Sequence, residues 1–246
     1  MKERLPFFHL PRLPLLAVLA CLWPVPGGAA NLQISPVMIN FLAEQNSAGI
    51  NLQNLGVEPM VGQVRVFLWE QQNGDDVLTP TQEVVASPPI VEVAPSSRQT
   101  IRLVRTQKAG GGERTYRVLI DELAREDGSG KSGVDIRLRY SVPVFVAAPG
   151  GPGKENLSWT FFRKDGDWML RLQNSGNYHA QIGAFSVANQ AGKKYVLSEG
   201  LFGYVLAGRM REWRLPVARD ADLNGALTLT VNVNAKALIA KNTTQE

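Results

Sequence analysis

Apolar and polar residues alternate with a period of two along most of the chain that follows residue 30. Clusters of glycine, proline, asparagine and aspartate interrupt this alternation about every ten residues. Successive side chains of a β-strand point to opposite faces of a sheet, so this pattern is typical of short strands that bury one face. The sequence therefore predicts an all-β fold.

The first half of the chain contains enough candidate strands for one complete β-sandwich. Within 62–70, for example, Val64, Val66 and Leu68 share one face, while the opposite face mixes polar and aromatic residues. About seven short strands separated by turns are typical of an immunoglobulin-like sandwich. The candidate strands are 33–41, 49–54, 62–70, 100–105, 116–121 and 134–146.

A stretch rich in proline and glycine divides the chain. Residues 147–154 read AAPGGPGK, which cannot hold a regular strand or helix. Beyond this stretch the period-two pattern resumes and indicates a second, smaller sandwich. We therefore predict two immunoglobulin-like β-sandwich domains, at 31–146 and 155–246, joined by a linker at 147–154. The candidate strands of the second domain are 157–163, 168–173, 180–187, 194–197, 211–215 and 227–233.

The first thirty residues have the order of a secretory signal peptide. Basic residues precede an apolar stretch at 13–23, and small residues lead to Ala30, after which we predict cleavage. Lipid attachment at Cys21 is the alternative for this segment. No later stretch approaches the ~20 apolar residues that a membrane helix needs, so we expect no membrane insertion.

The composition argues against catalysis, metal binding and nucleic-acid binding. Half of the formal net charge of +4 lies in the first thirty residues, which leaves too little charge for a nucleic-acid surface. Beyond Ala30 there is no cysteine, and His179 is the one histidine. Catalytic triads, thiol nucleophiles and the common zinc sites need these residue types. We expect a non-enzymatic protein without metal or cofactor, and we place His179 in a turn or an edge strand.

Asp121 and Glu122 are the carboxylate pair that could suggest glycoside hydrolysis. Adjacent residues of a strand point to opposite faces, so the two carboxylates form a poor catalytic dyad. We expect instead that one of them forms a salt bridge at the junction between the domains.

Four stretches that span both predicted domains carry the pattern of a known family. They read SPPIVEVAPSSRQTIRL at 87–103, TYRVLIDEL at 115–123, LRYSVPVF at 138–145 and LFGYVLAG at 201–208. In this order they resemble the periplasmic chaperones of chaperone–usher pilus systems, especially the archaic branch that serves spore-coat-protein-like pili. The resemblance implies two domains around a cleft, a pilin subunit bound in that cleft, delivery to an outer-membrane usher, and location in the periplasm.

The resemblance also implies that the seventh strand is lent to the subunit as a donor strand, which is β-augmentation between two chains. In 134–146 every second residue is apolar, as a donor strand requires. The alternative is an ordinary half-buried strand of the chain's own sandwich. The candidate donor residues are Val134, Ile136, Leu138, Tyr140 and Val142.

Chaperones of this family hold the subunit's C-terminal carboxylate with two basic residues, often one from the first strand and one from the seventh. Here the candidate first strand, 33–41, contains no basic residue. The resemblance therefore directs attention to Arg117 and Arg139, since an arginine fork matches a carboxylate with two charge-assisted hydrogen bonds. The alternative is that both arginines form structural ion pairs with neighbours such as Asp121.

Other classes of protein stay open at this point. A secreted structural or adhesive β-sandwich, or a pilus subunit, would share the strand pattern. A carbohydrate-binding module would need exposed aromatic residues, whereas the context of Trp159, Trp168 and Trp213 favours core packing. The free protein could also self-associate through an open strand edge.

Overall fold

The computed structural model describes residues 32–124 and 137–243. These residues form eighteen strands, and no helix occurs among them, so the predicted all-β class is confirmed. In this same part of the chain, no helix is long and apolar enough to cross a membrane. The predicted signal peptide at 1–30, with Cys21, and the candidate donor residues Val134 and Ile136 lie outside the described residues.

The first ten strands form two sheets that pack face to face. Their bounds are β1 (Leu32–Ser35), β2 (Ile39–Phe41), β3 (Ser47–Asn54), β4 (Met60–Gln72), β5 (Asp75–Pro80), β6 (Val84–Ser87), β7 (Ile90–Val93), β8 (Arg98–Arg105), β9 (Arg114–Glu122) and β10 (Arg139–Val146). One sheet has the order β1-β3-β8-β6, and the other has the order β2-β10-β9-β4-β5 with β7 also paired to β4. The structure adds β5, β6 and β7, which the alternation did not predict.

The candidate first strand, 33–41, is in fact two strands in different sheets. β1 pairs antiparallel with β3, whereas β2 pairs parallel with β10. Pro36 lies at the break between them, where a residue without a backbone N–H cannot continue a ladder. By changing sheets, this segment covers the end of β10 and leaves the beginning of β10 uncovered.

The core of the first sandwich lies between its two sheets. Ile50 and Leu52 of β3 belong to the same buried cluster as Val118 and Ile120 of β9 and Val144 of β10. Each such side chain contributes roughly 1.5–3 kcal/mol when it is fully buried. The face of β9 and β4 that points away from this core is therefore free to face the rest of the molecule.

The second sandwich is smaller and has its own core. Its strands are β11 (Leu157–Lys164), β12 (Asp167–Asn174), β13 (Ala180–Ala188), β14 (Lys194–Ser198), β15 (Gly203–Val205), β16 (Met210–Arg214), β17 (Ala226–Val233) and β18 (Lys236–Thr243). They form one sheet of β11-β12-β16 and one of β14-β13-β17-β18, with β15 paired to β13. Trp168 is buried in this core, and Trp159 and Trp213 pack against it, which confirms the prediction for the three tryptophans.

The strand bounds leave a gap where the linker was predicted. β10 ends at Val146 and β11 begins at Leu157. The boundary residues assigned from the sequence, 31–146, 147–154 and 155–246, stay a prediction.

Candidate functional site

β10 has one paired edge and one edge that is largely open. Along β9 it pairs over its whole length, from Arg139 opposite Asp121 to Val146 opposite Arg114. On the other side β2 covers only Val144 to Val146. Within the described part of the chain, the stretch 139–143 therefore has no strand on its outer side, and an extended segment of another chain could add there.

The backbone pattern shows which groups this open edge presents. The N–H of Glu122 donates to the carbonyl of Leu138 at 3.0 Å, which places Leu138 among the residues whose backbone groups point toward β9. Because hydrogen-bonding direction alternates along an antiparallel strand, the N–H and C=O of Ser141 point away from β9. Pro143 has no N–H, so it offers only its carbonyl to the open edge.

The side chains of the predicted donor stripe divide between two environments. Val142 is only 4% exposed and belongs to the core of its own sandwich, and its donor role stays a prediction. Leu138 and Tyr140 are half-buried, and Tyr140 also packs against the core of its own sandwich. The apolar stripe therefore packs with the home core from Tyr140 to Val146, whereas Leu138 is half-buried and does not belong to that core.

Arg117 lies on the face of β9 that points away from the core, opposite Phe67 of β4 and Pro143 of β10. Its guanidinium lies over the ring of Trp69, 3.7 Å from the ring centroid, and 5.2 Å from the ring centroid of Tyr204 in the second domain. Among the described residues, Arg117 has no side-chain hydrogen bond and no ion pair. It is a half-buried cation whose N–H groups are free to bind an anion.

The pKa of the Arg117 guanidinium is lowered, and burial is the main cause. Asp76 and Tyr204 raise this pKa, and Arg211 lowers it. An arginine still stays protonated at physiological pH. The direction of the shift means that a carboxylate brought next to Arg117 would relieve the unfavourable burial of its charge.

Arg139 lies at the first residue of β10 and forms an ion pair with Asp121, which also binds Arg65 Nη2 at 2.6 Å. Burial raises the pKa of Asp121, but the hydrogen bonds from Arg139 and Arg65 more than offset it and hold that pKa below its usual value. The Arg139 side chain is 62% exposed. This is the ion-pair alternative considered above, and it lies within the first domain rather than at the domain junction expected for Asp121.

The two predicted anchor residues share a sheet face but do not come together. Arg117 lies opposite Pro143, whereas Arg139 lies opposite Asp121. Four residues of strand separate the two positions, which corresponds to about 13 Å. The structure therefore does not place Arg117 and Arg139 on one carboxylate.

An aromatic cluster joins the two domains beside Arg117. Trp69 and Phe145 of the first domain pack with Tyr204 and Leu206 of the second. The side-chain amide of Gln71 bridges them: it donates to the carbonyl of Tyr204 at 2.9 Å and accepts from the N–H of Leu206 at 2.9 Å. These residues therefore connect the two domains directly.

A buried pair that the sequence did not reveal lies next to this cluster. The Glu113 carboxylate accepts hydrogen bonds from the backbone N–H of His179 at 2.9 Å and pairs with its Nδ1 at 2.8 Å. The two side chains are 2% and 3% exposed. The His179 ring stacks on Phe145 with centroids 3.5 Å apart. His179 lies directly before β13, in neither a turn nor a strand, and the sequence did not indicate its burial.

A second polar network lies within the first domain, at the start of β9. Glu83 accepts hydrogen bonds from Arg114 Nη2 at 2.7 Å and from the hydroxyl of Tyr116 at 2.7 Å. The hydrogen bond from Arg114 is the main cause of a lowered pKa for Glu83. Burial, followed by the hydrogen bond to Glu83, raises the pKa of Tyr116 to about 12.

Tyr116 is expected to make folding sensitive to alkaline pH. Its ordinary pKa is 10.0 and its folded pKa is about 12, so between these values the unfolded chain loses the phenol proton while the folded chain keeps it. The free energy of unfolding should therefore fall as pH rises through this window, and Tyr116→Phe should remove that part of the decrease. Urea unfolding below and within the window measures it. The same pH dependence in both proteins would contradict the assignment.

The described residues contain no group of three or more His, Cys, Asp and Glu side chains that could hold a metal ion.

Comparisons with known proteins match part of the chain to a family model and most of the chain to solved structures. Residues 31–151 match the family of pili and flagellar-assembly chaperones at the PapD N-terminal domain. No curated protein matches. Among solved structures, the chain is similar to one in the CsuC–CsuE chaperone–tip adhesion subunit pre-assembly complex of archaic chaperone–usher Csu pili from Acinetobacter baumannii. That match has 24% identity, covers 88% of this chain and 100% of that one, and has a TM-score of 0.68.

Two further structures agree with this fold. The Salmonella enterica SafA pilin complex with the SafB chaperone matches at 14% identity and a TM-score of 0.59, over 88% of this chain and 98% of that one. The E. coli chaperone DraB matches at 17% identity and a TM-score of 0.57, over 86% and 96%. These likenesses confirm the predicted fold of two immunoglobulin-like domains.

Proposed function

Through residues 31–151 the chain belongs to the pili and flagellar-assembly chaperones, and we propose that it binds pilin subunits by donor-strand complementation and delivers them to an outer-membrane usher. The family is non-enzymatic, in agreement with the expectation from the sequence. The matched CsuC and SafB structures are complexes with a tip adhesion subunit and a pilin. They support the same class of partner here. The periplasm is the proposed location, because chaperones of this family work there.

The open edge of β10 is the observation that carries this proposal. It presents the outward N–H and C=O of Ser141 beside the half-buried side chains of Leu138 and Tyr140. A subunit that lacks a strand would pair with these backbone groups and cover the apolar side chains. Backbone pairing would fix the register, and burial of apolar area would supply affinity.

Arg117 is the proposed anchor for the terminal carboxylate of the subunit. It makes no hydrogen bond or ion pair with an acidic side chain among the residues described, and it lies opposite Pro143, where the open part of β10 ends. Arg139 would first have to leave Asp121, so we propose that it fixes the start of β10 against β9 instead. Of the donor residues named from the sequence, Leu138 and Tyr140 are the half-buried ones beside the open edge, and Val134, Ile136 and Val142 also stay predictions.

Ser141→Pro tests the open edge. Proline removes the outward N–H and adds a ring on the side where a subunit strand would pair, while the hydrogen bonds to β9 stay intact. We expect recovery of the cognate pilin with the tagged chain, co-expressed in the periplasm, to fall at least about tenfold, with little change in thermal stability.

Two matched variants serve as controls for that result. Ser141→Ala keeps the N–H and should recover subunit normally. Tyr140→Pro removes an N–H that points toward β9 and should destabilise the free chain. Normal pilin recovery by Ser141→Pro would show that the subunit does not pair along this edge.

A further inference from the structure

We infer that Trp69 of the first domain and Tyr204 of the second form one aromatic platform that positions Arg117 for the carboxylate. The position of the anchor then depends on one aromatic residue from each domain. This inference rests on the proposed function, because it concerns the same site, and it assigns Trp69 and Tyr204 as positioning residues that do not themselves contact the carboxylate.

The platform is a defined geometry rather than a general apolar surrounding. The Trp69 and Tyr204 rings meet edge to face, with centroids 5.5 Å apart and an interplanar angle of 85°. Both side chains are buried. The Arg117 guanidinium lies over the Trp69 ring and also within cation–π range of Tyr204. The guanidinium therefore has two aromatic rings near it, one from each domain.

Stacking holds an arginine without using its hydrogen bonds. A guanidinium that lies against aromatic faces keeps its N–H donors available at its edge, which is the geometry that a carboxylate fork requires. No hydrogen bond or ion pair from the described residues occupies those donors of Arg117. The platform therefore reduces the conformational freedom that Arg117 would lose on binding and leaves its binding groups free.

Polar contacts fix each ring of the platform. Trp69 Nε1 donates to Asp76 Oδ1 at 2.9 Å. The Tyr204 carbonyl accepts from the Gln71 amide, and its hydroxyl accepts from Gln181 Nε2 at 3.2 Å. These contacts reach both domains, so a change in the domain contact would move one ring relative to the other and alter the position of Arg117.

The test compares the affinity of the protein for two peptides that differ only in whether they end in a carboxylate. The probe is a synthetic peptide with alternating apolar and polar residues, made once with a free C-terminal carboxylate and once with a C-terminal amide. Wild-type protein should prefer the carboxylate form by roughly 10- to 100-fold, and Arg117→Ala should bind both forms about equally. Tyr204→Leu should reduce the preference at least about threefold, with unchanged binding of the amide.

Tyr204→Phe is the matched control, since it keeps the ring and should keep the preference. A wild-type preference that persists in Tyr204→Leu would overturn the platform and leave the anchor intact. If the wild type shows no preference, Arg117 is not the anchor.

If Tyr204→Leu does not fold, NMR of the free wild-type protein is the alternative test. The Arg117 Nε–H proton, assigned through Arg117→Lys, should be shifted upfield by the Trp69 ring. An unshifted signal would equally overturn the platform.

Discussion

Arg117→Ala is expected to lower the affinity for the pilin subunit by roughly 10- to 100-fold while the protein stays folded. Charge-assisted hydrogen bonds to one carboxylate contribute about 1.5–3 kcal/mol, and the substitution removes all of them. The fold should tolerate the change, because Arg117 makes cation–π contacts but no hydrogen bond or ion pair to the described residues. Co-purification of the tagged chain with co-expressed cognate pilin, together with thermal unfolding of the free chain, measures both effects.

Two other arginines serve as controls for Arg117. Arg163 also stacks on a tryptophan, 4.0 Å from the ring centroid of Trp168, but its guanidinium donates to the carbonyls of Gly166 and Arg219 within the second domain. Arg163→Ala should recover pilin normally. Arg139→Ala opens the exposed pair with Asp121, which costs at most about 1 kcal/mol, and should have a much smaller effect on pilin recovery than Arg117→Ala. The opposite order of effects would place the anchor at Arg139.

Glu113→Ala is expected to destabilise the protein by about 3 kcal/mol or more. The Glu113 carboxylate accepts two hydrogen bonds from His179, and both side chains are almost completely buried. Its removal leaves two donors without an acceptor in a site from which water is largely excluded, and each costs about 1–3 kcal/mol. Because the pair joins the two domains beside Phe145, the loss should also weaken the domain contact.

Urea unfolding of wild type and Glu113→Ala measures this difference, with Glu70→Ala as the matched control. Glu70 also forms an interdomain ion pair, with Arg209 Nη2 at 3.1 Å, but the side chains of Glu70 and Arg209 are both partly exposed. Exposed pairs contribute about 0–1 kcal/mol, so Glu70→Ala should shift the urea midpoint much less. Equal shifts in the two variants would mean that burial of the Glu113–His179 pair does not determine its contribution.

Local patterns in the sequence were sufficient for the fold class and for most strands. Alternation in 62–70 placed Val64 and Val66 on the core face, and the structure buries Val64 and packs Val66 against the core. Strand periodicity is a property of the chain's own neighbours, so it can be read without knowing the fold. The same reasoning failed at 33–41, where a uniform pattern hid a change of sheets between β1 and β2.

The sequence by itself determined that the chain is all-β and that an apolar stripe runs through the last strand of the first domain. Only the tertiary structure decided where that stripe leaves the home core, that Arg139 meets Asp121, that Arg117 lies near both Trp69 and Tyr204, and that Glu113 binds His179. Each of these contacts depends on which strand lies next to which, and in what register, across long stretches of chain. A local pattern carries no such information, because the side chains that meet are brought together only when distant strands pair or the two sandwiches pack.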